Sequence, residues 1–252
     1  MTERWRSGLS LLISVVVFAA VVLWFPAGGP ANLRRVLGLG GEHPLGDPAD
    51  VPPGGTYAFV AHQPGHPDDP VAWDPCREIH YEINPDGAPD DADETEDFVA
   101  EAVHVVSHYT GLRFVYDGRT DRRPAWDREV VPALAAREPV LIAWATEDEV
   151  PQLEDDVAGV DGSLPVPVQP EGWLRFVTGE VTLDSDAFAE MDTVLGDDGE
   201  ERAVLLHELG HLVGLDHVDS TRELMYADNI GRRDFGTGDL NGLVRLGTGR
   251  CS

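Results

Sequence analysis

The stretch His207-Glu208-Leu209-Gly210-His211-Leu212-Val213-Gly214-Leu215-Asp216-His217 decides the fold of this chain. On an α-helix, side chains four residues apart lie on one face, about 5–6 Å from each other. His207 and His211 can therefore bind one metal ion from consecutive turns. Glu208 is rotated about 100° around the helix, which places it beside such an ion, where a general base for a water belongs.

His217 can reach the same ion only if the helix ends at Gly214. In a continuous helix, His217 would lie about 240° round and roughly 9 Å along the axis from His211. Glycine adopts the left-handed conformation that ends helices at no side-chain cost, so the chain can turn back. Three imidazoles and a water form the open tetrahedral arrangement of catalytic zinc. We therefore predict three metal ligands and one base, with Gly214 as the helix break: His207, His211, His217 and Glu208.

A methionine turn and a helix-like tail follow the histidine motif. Glu223-Leu224-Met225-Tyr226 places Met225 eight residues after His217, and the segment Asp239–Gly247 lies near the C-terminus. Together with the histidine motif, these segments resemble the metzincin zinc metalloproteases, and most of all the matrixins. The resemblance is tight over residues 207–247 and loose over residues 71–206. It implies that Met225 packs beneath the metal and does not bind it.

The resemblance also implies a fold and an activity. The expected fold class is α+β, a metzincin-like catalytic domain over residues 71–252. Its parts would be a twisted mixed β-sheet of about five strands, with an edge strand along the cleft, and three helices. The expected activity is that of a monomeric zinc-dependent endopeptidase, with one catalytic Zn²⁺ and a protein or peptide substrate.

A catalytically silent module is the alternative function. It would keep the fold and the zinc and serve in surface adhesion or regulation. Glu208 argues against it, because a structural zinc needs no base, and structural sites prefer four protein ligands that include cysteine.

The chain departs from the matrixin pattern where specificity and activation are set. Ala227-Asp228-Asn229 stands where the family has Pro-x-Tyr on the wall of its main specificity pocket, so the substrate-binding residues stay unknown. Gly238 replaces the first of two paired acids in the final helix. The family's anchoring of a freed N-terminus, and with it activation by pro-peptide removal, does not carry over.

Hydrophobic periodicity predicts the elements around the motif. Ile79–Ile83 alternates as a half-buried strand does, residues 98–109 show helical spacing, and Pro139–Ala145 is an apolar run typical of a central strand. Val177–Asp184 is interpreted as an edge strand, where the resemblance implies that extended peptide would pair.

Calcium is a second metal to consider, because matrixins bind it structurally and it needs several converging oxygen ligands. The acids between residues 147 and 161 are interpreted as a solvated surface loop. Asp184 and Asp186 are the remaining calcium candidates. His104 and His108 lie four residues apart on a predicted helix, but no third ligand and no intervening acid accompany them.

The two cysteines, Cys76 and Cys251, bracket the predicted catalytic domain. An even number of cysteines in an extracytoplasmic chain predicts a disulfide. The alternative is a cysteine that inhibits the zinc, as in the matrixin pro-segment. The surrounding Asp74-Pro75-Cys76-Arg77-Glu78 lacks the pattern of that switch.

The N-terminal quarter predicts a membrane attachment. Leu9–Phe25 carries no charge and follows Arg4 and Arg6, which is typical of a transmembrane signal anchor with residues 1–8 in the cytoplasm. The catalytic domain would then lie outside the cell membrane of a single-pass protein; signal cleavage and secretion is the alternative. Residues 26–70 are rich in glycine and proline and predict a linker, within which Tyr57–Ala61 is interpreted as a short strand.

The overall charge limits the partners. The formal net charge is −28 at pH 7. Such an excess of acids argues against nucleic acid or anionic membrane surfaces as binding partners. The remaining membrane contact is the N-terminal apolar segment.

Overall fold

The computed structural model describes residue 41 and residues 43–126, 138–155, 157–168, 172–195, 199–228 and 231–251. Four α-helices occur in these ranges: α1 (Ala92–Thr110), α2 (Ser185–Leu195), α3 (Gly199–Val213) and α4 (Thr237–Gly247). Ten strands accompany them: β1 (Ala58–Phe59), β2 (His62–Gln63), β3 (His66–Pro70), β4 (Ala72–Trp73), β5 (Glu78–Asn84), β6 (Arg113–Arg119), β7 (Val140–Ala145), β8 (Gly159–Val168), β9 (Trp173–Asp184) and β10 (Leu215–Asp216).

Six strands form one mixed sheet, in the order β4-β9-β7-β5-β6, with β8 paired to β9. The five strands of this path pair in parallel, and β8 pairs antiparallel. The α+β class and the mixed sheet fit the predicted metzincin-like domain. The sheet has one strand more than expected, and the described residues form four helices where three were predicted.

The central strand and the first helix form where periodicity placed them. Every residue of β7 is buried, because the strand lies between β9 and β5 and Val140, Ile142 and Trp144 pack into the main core. Helix α1 begins at Asp91, whose side-chain oxygen accepts hydrogen bonds from the amides of Asp93 and Glu94 at 2.9 and 3.1 Å. Its buried stripe includes Val99 and Val106, which pack into the main core.

The predicted edge strand at Val177–Asp184 is wrong. This segment belongs to β9, which pairs on one side with β8 and on the other with β4 and β7. The edge strand is β8, whose first residues fall in the predicted acidic loop. Pro165 and Pro167 are two residues apart in β8, so their backbone nitrogens, which carry no hydrogen, face the same side of the strand. Only an edge strand can turn that side to solvent, so the prolines that hid the strand are compatible with it.

The folded domain extends N-terminal to the predicted boundary at residue 71. Strands β1, β2 and β3 all lie in the segment interpreted as a linker. The amide of Leu45 donates a hydrogen bond to the carbonyl of Pro75 at 2.8 Å, and β1 pairs with β10. The short strand expected near Tyr57 is present at Ala58–Phe59. The glycine-rich composition of residues 26–70 gave no sign that this segment packs on the domain, because it does so through backbone hydrogen bonds such as those of Leu45 and β1.

Cys76 and Cys251 form the predicted disulfide. It joins the segment before β5 to the chain that follows α4. The bond excludes the alternative in which the Cys76 thiol inhibits the metal.

No helix among the described residues is long and apolar enough to cross a membrane. Residues 1–40, and with them the predicted anchor Leu9–Phe25, lie outside the described residues.

Removing the disulfide is expected to destabilise the domain strongly. The bond closes a loop with a sequence separation of 175, for which the chain-entropy model gives an upper value of about 5 kcal/mol. We expect the double variant Cys76→Ala/Cys251→Ala to lose about 2–5 kcal/mol of unfolding free energy in urea titrations. Reduction should lower the stability of the wild type equally and leave the double variant unchanged. A wild type that is insensitive to reduction would contradict the prediction, as would free thiols in the unreduced protein.

Candidate active site

Helix α3 presents the histidine motif to a cleft and buries the rest of its surface. Its apolar side chains are almost fully enclosed between the sheet and α1: Leu205, Leu206, Leu209, Leu212 and Val213. His207 and Glu208 line the cleft, as does His211 one turn later. Burial on the remaining sides holds the helix in one orientation, so the positions of these three side chains are well defined.

The structure brings the three predicted histidines together. The Nε2 atoms of His207 and His211 lie 3.0 Å apart, and each is 3.1 Å from Nε2 of His217. Three nitrogens bound tetrahedrally to one zinc at 2.0–2.1 Å would be about 3.3–3.4 Å from one another. The nitrogen triangle differs from that arrangement by only a few tenths of an ångström.

Two backbone carbonyls orient the histidines of α3. Nδ1 of His207 lies 2.9 Å from the carbonyl oxygen of Leu224, and Nδ1 of His211 lies 2.7 Å from that of Leu215. Because a carbonyl only accepts, each Nδ1 carries the proton and each Nε2 directs its lone pair into the triangle.

Burial favours the neutral form that a metal requires. It lowers the pKa of the His207 imidazole to about 4, and burial together with the neighbouring His207 lowers that of His211 to about 3. Both rings are therefore uncharged at neutral pH. The donor set, its tautomers and its spacing fit a zinc ion.

The helix ends where the sequence placed the break. Helix α3 stops at Val213, and Gly214 has φ of +122°. A side chain is strained at this backbone angle. The amide of Gly214 donates to the carbonyl of His211 at 2.8 Å, after which β10 leads the chain back to His217.

Met225 is 1% exposed and lies under α3. It packs against Gly210, where an added Cβ would lie 2.8 Å from the Met225 sulfur. The backbone carbonyl of Met225 accepts a hydrogen bond from the amide of Val218 at 2.9 Å, which ties the turn to the strand-like segment after His217. Gly210 therefore has a packing role that the motif alone did not indicate.

Two buried carboxylates join the methionine turn to α4. Glu223 is 2% exposed and accepts a hydrogen bond from the amide of Gly238 at 2.8 Å. Asp239 is fully buried and accepts from the amides of Gly236 and Leu224. Burial raises the pKa of Asp239 to about 6, although these amides act in the opposite direction. From the sequence, Asp239 is recognised only as part of the matrixin-like tail, and no role is predicted for Glu223.

Glu208 lies against β8 rather than in open solvent. It is 7% exposed, and an added Cβ at Gly159 would lie 2.8 Å from its Cγ. Burial raises the pKa of Glu208 well above its usual value, and the charge of Asp161 adds to the effect. Asp161, interpreted from the sequence as part of a solvated loop, is instead a half-buried member of β8 that lines the cleft.

The cleft has a volume of about 450 Å³ and lies between β8, α3 and the segment after Met225. Ala227 and Asp228 form part of its wall, with Tyr226 and Arg232 beside them. Asn229, the third residue that departs from the family pattern, lies outside the described residues.

Within the described ranges, two clusters of three or more residues have the spacing of metal ligands. One is the histidine triad, and the other includes the two disulfide cysteines with Asp74. The calcium candidates Asp184 and Asp186 belong to neither. Asp184 has a local role, because its carboxylate accepts the amide of Ala187 at 2.7 Å and caps α2. Calcium binding stays a prediction.

The helix that carries His104 and His108 contributes no member to either cluster.

An open three-histidine site with a glutamate beside it, in a cleft bordered by an edge strand, is the arrangement of a zinc-dependent hydrolase. Residues 138–241 match the matrixin family, from the segment preceding β7 into α4. This stretch includes the three histidines and the methionine turn. The match supports the predicted resemblance to a matrixin-like metzincin metalloprotease over this part of the chain. A search of curated protein sequences gives no significant match.

The buried acid on β8 predicts a specific pH dependence of stability. Burial raises the pKa of Asp161 to about 7, whereas an unfolded Asp titrates near 3.9. Between these values the unfolded chain releases a proton that the folded protein keeps, so the unfolding free energy falls as pH rises.

Asp161→Asn should therefore stabilise the metal-free protein by about 1–3 kcal/mol at pH 8 and by much less at pH 4. Urea titrations of the two proteins at both pH values measure the difference. A stability difference that does not change with pH would contradict the raised pKa of Asp161.

Proposed function

We propose that this protein is a zinc-dependent endopeptidase that hydrolyses peptide bonds with Glu208 as general base. The observation that carries the proposal is the convergence of three Nε2 atoms at 3.0–3.1 Å beside the buried Glu208, in an open cleft. His207, His211 and His217 would hold the zinc. The matrixin match supports the reaction class.

Zinc bound to this site would supply a Lewis acid that acidifies a water and polarises the peptide carbonyl. Glu208 accepts the proton of the attacking water and passes it to the leaving amine. Burial raises the pKa of Glu208, so its ionised carboxylate is a stronger proton acceptor than that of an exposed glutamate.

The position of β8 supports an extended substrate. One side of this strand pairs with β9, and its first residues, Gly159 to Asp161, line the cleft beside Glu208. A peptide that adds to the free side of β8 would place its backbone beside the histidines. The substrate-pairing strand is thus β8, where the sequence indicated β9.

We propose an extracytoplasmic location, with the chain held at the cell membrane by Leu9–Phe25. The disulfide supports an oxidising compartment, in which such bonds persist. The uncharged run of seventeen residues, with arginines before it, supports the anchor.

The deciding experiment compares the wild type with Glu208→Gln. Both proteins should bind one zinc per chain, because Glu208 is not a ligand. Cleavage of a denatured protein mixture should fall about 10²–10⁴-fold in Glu208→Gln, the usual contribution of a general base. His211→Ala should abolish both zinc binding and cleavage. A wild type that binds zinc and cleaves no peptide in a Glu208-dependent way would support the silent zinc-binding module instead.

Gly159→Ala is expected to displace the base without removing the metal. Its methyl group would meet the Glu208 side chain at 2.8–3.1 Å, so we expect a loss of peptidase activity of about tenfold or more, with zinc retained. The loss should appear in kcat more than in KM.

A double-mutant cycle checks the cause of this loss. In a Glu208→Ala background the obstructed side chain is absent, so Gly159→Ala should destabilise the protein far less than it does in the wild type. Equal destabilisation in both backgrounds would show that the methyl group acts elsewhere.

A further inference from the structure

Residues 52–61, here called the strap, cross the C-terminal part of the domain. The strap begins at Pro52, whose carbonyl accepts a hydrogen bond from Nδ2 of Asn241 on α4 at 3.0 Å. It continues into β1, which pairs antiparallel with β10 in the register Ala58 to Asp216. The amide of Val60 then donates to the carbonyl of Gly214 at 3.1 Å. The strap is thus bound to the helix break and to the strand that precedes His217.

The middle of the strap is in backbone contact with the start of α4. An added Cβ at Gly55 would lie 2.1 Å from the Gly238 amide nitrogen and 2.8 Å from a Glu223 carboxylate oxygen. An added Cβ at Gly238 would lie 2.1 Å from the carbonyl oxygen of Thr56. Neither position accepts a side chain, so the two backbones lie against each other without a gap.

These two contact regions lead directly to the carbonyls that orient the metal-binding histidines. Phe59 of the strap is opposite Leu215 in the β1–β10 pair, and the Leu215 carbonyl holds Nδ1 of His211. Gly55 lies against Glu223, and the next residue, Leu224, supplies the carbonyl that holds Nδ1 of His207. The strap therefore contacts the backbone segments that carry both carbonyls.

We infer that the strap is a positioning element of the metal centre, and that the site needs this segment intact and in place. The strap reaches the site through the backbone contacts given above. It fixes β10 and the Glu223–Leu224 backbone, and these fix the tautomers and ring orientations of His207 and His211. A cut or displacement within residues 52–57 lowers metal affinity. Residues 52–61 thus act as part of the domain and support the site through its backbone.

The inference rests on the proposed function only through zinc binding, and its test measures zinc without any substrate. Gly55→Ala places a methyl group against Gly238. Gly65→Ala is the matched control, because Gly65 has φ of +75° against +69° for Gly55, while nothing lies within 4 Å of its added Cβ. Both variants carry the same backbone penalty, and only Gly55→Ala displaces the strap.

Zinc affinity of the full chain is measured by competition with a chromophoric chelator, and the ligand geometry by the absorption spectrum of the Co²⁺-substituted protein. We expect Gly55→Ala to bind zinc about 10–100-fold more weakly than Gly65→Ala, the range found when groups that orient metal ligands are altered. Its Co²⁺ spectrum should change, and that of Gly65→Ala should match the wild type. Equal zinc affinities of the two variants would overturn the inference.

If Gly55→Ala does not fold, the second variant is Asn241→Ala, which introduces no clash. It removes the hydrogen bond to the Thr237 carbonyl within α4 and the hydrogen bond to the strap at Pro52. Loss of this contact should weaken zinc binding about threefold or more, consistent with the net value of one hydrogen bond. Unchanged zinc affinity in Asn241→Ala would then overturn the inference. A wild type that binds zinc but cleaves no peptide would remove the proposed activity and leave the role of the strap standing.

Discussion

The site depends on one constraint, which is that three imidazole nitrogens must converge with their lone pairs directed inward. A helix can meet this requirement for two residues four apart, and for no third residue further along its axis. The chain supplies the third by reversing at Gly214, whose φ of +122° is strained for any residue with a side chain. The reversal also brings the Leu215 carbonyl to Nδ1 of His211. The same turn therefore places His217 beside the other histidines and orients the His211 ring.

Convergence alone would leave the rings free to rotate, and the backbone around them removes that freedom. The Leu224 carbonyl holds His207, and the Leu224 amide donates a hydrogen bond to Asp239 on α4. The preceding residue, Glu223, accepts a hydrogen bond from the amide of Gly238 at the start of α4. Burying two carboxylates is unfavourable, as the raised pKa of Asp239 indicates. Backbone amides offset much of that cost, and the result is a rigid connection between the methionine turn and α4. The buried acids thus lower the stability of the domain, while the hydrogen bonds that they accept fix the backbone that orients the neutral histidines.

Features that depend on short-range sequence patterns could be predicted, and features that depend on contact between distant backbones could not. The zinc helix, the break at Gly214, α1 and the buried strand β7 each follow from periodicity or from a motif in which every position has a local geometric reason. The edge strand β8 could not be recognised, because its glycines and prolines carry no strand pattern, and its place is set by pairing with β9. The same limit concealed Gly159 and Gly210. Because these glycines have no side chain, Glu208 can pack against Gly159 and Met225 can pack against Gly210.

The chain keeps the three-histidine motif of the matrixins and differs from them on the pocket wall, and the structure gives a physical reason why the two can vary independently. The ligands and the base are held by backbone carbonyls, a glycine reversal and close packing of α3, none of which involves Ala227 or Asp228. Those two residues line the cleft at an exposed loop, where a change of side chain alters shape and charge without disturbing the histidines. The strap follows the same logic, since Gly55 lies against Gly238 and Glu223 and supports the ligand-bearing backbone. Under the proposed function, substitutions in the loop would change the substrate preference, whereas substitutions at Gly55 or Gly214 would act on the backbone that positions the histidines.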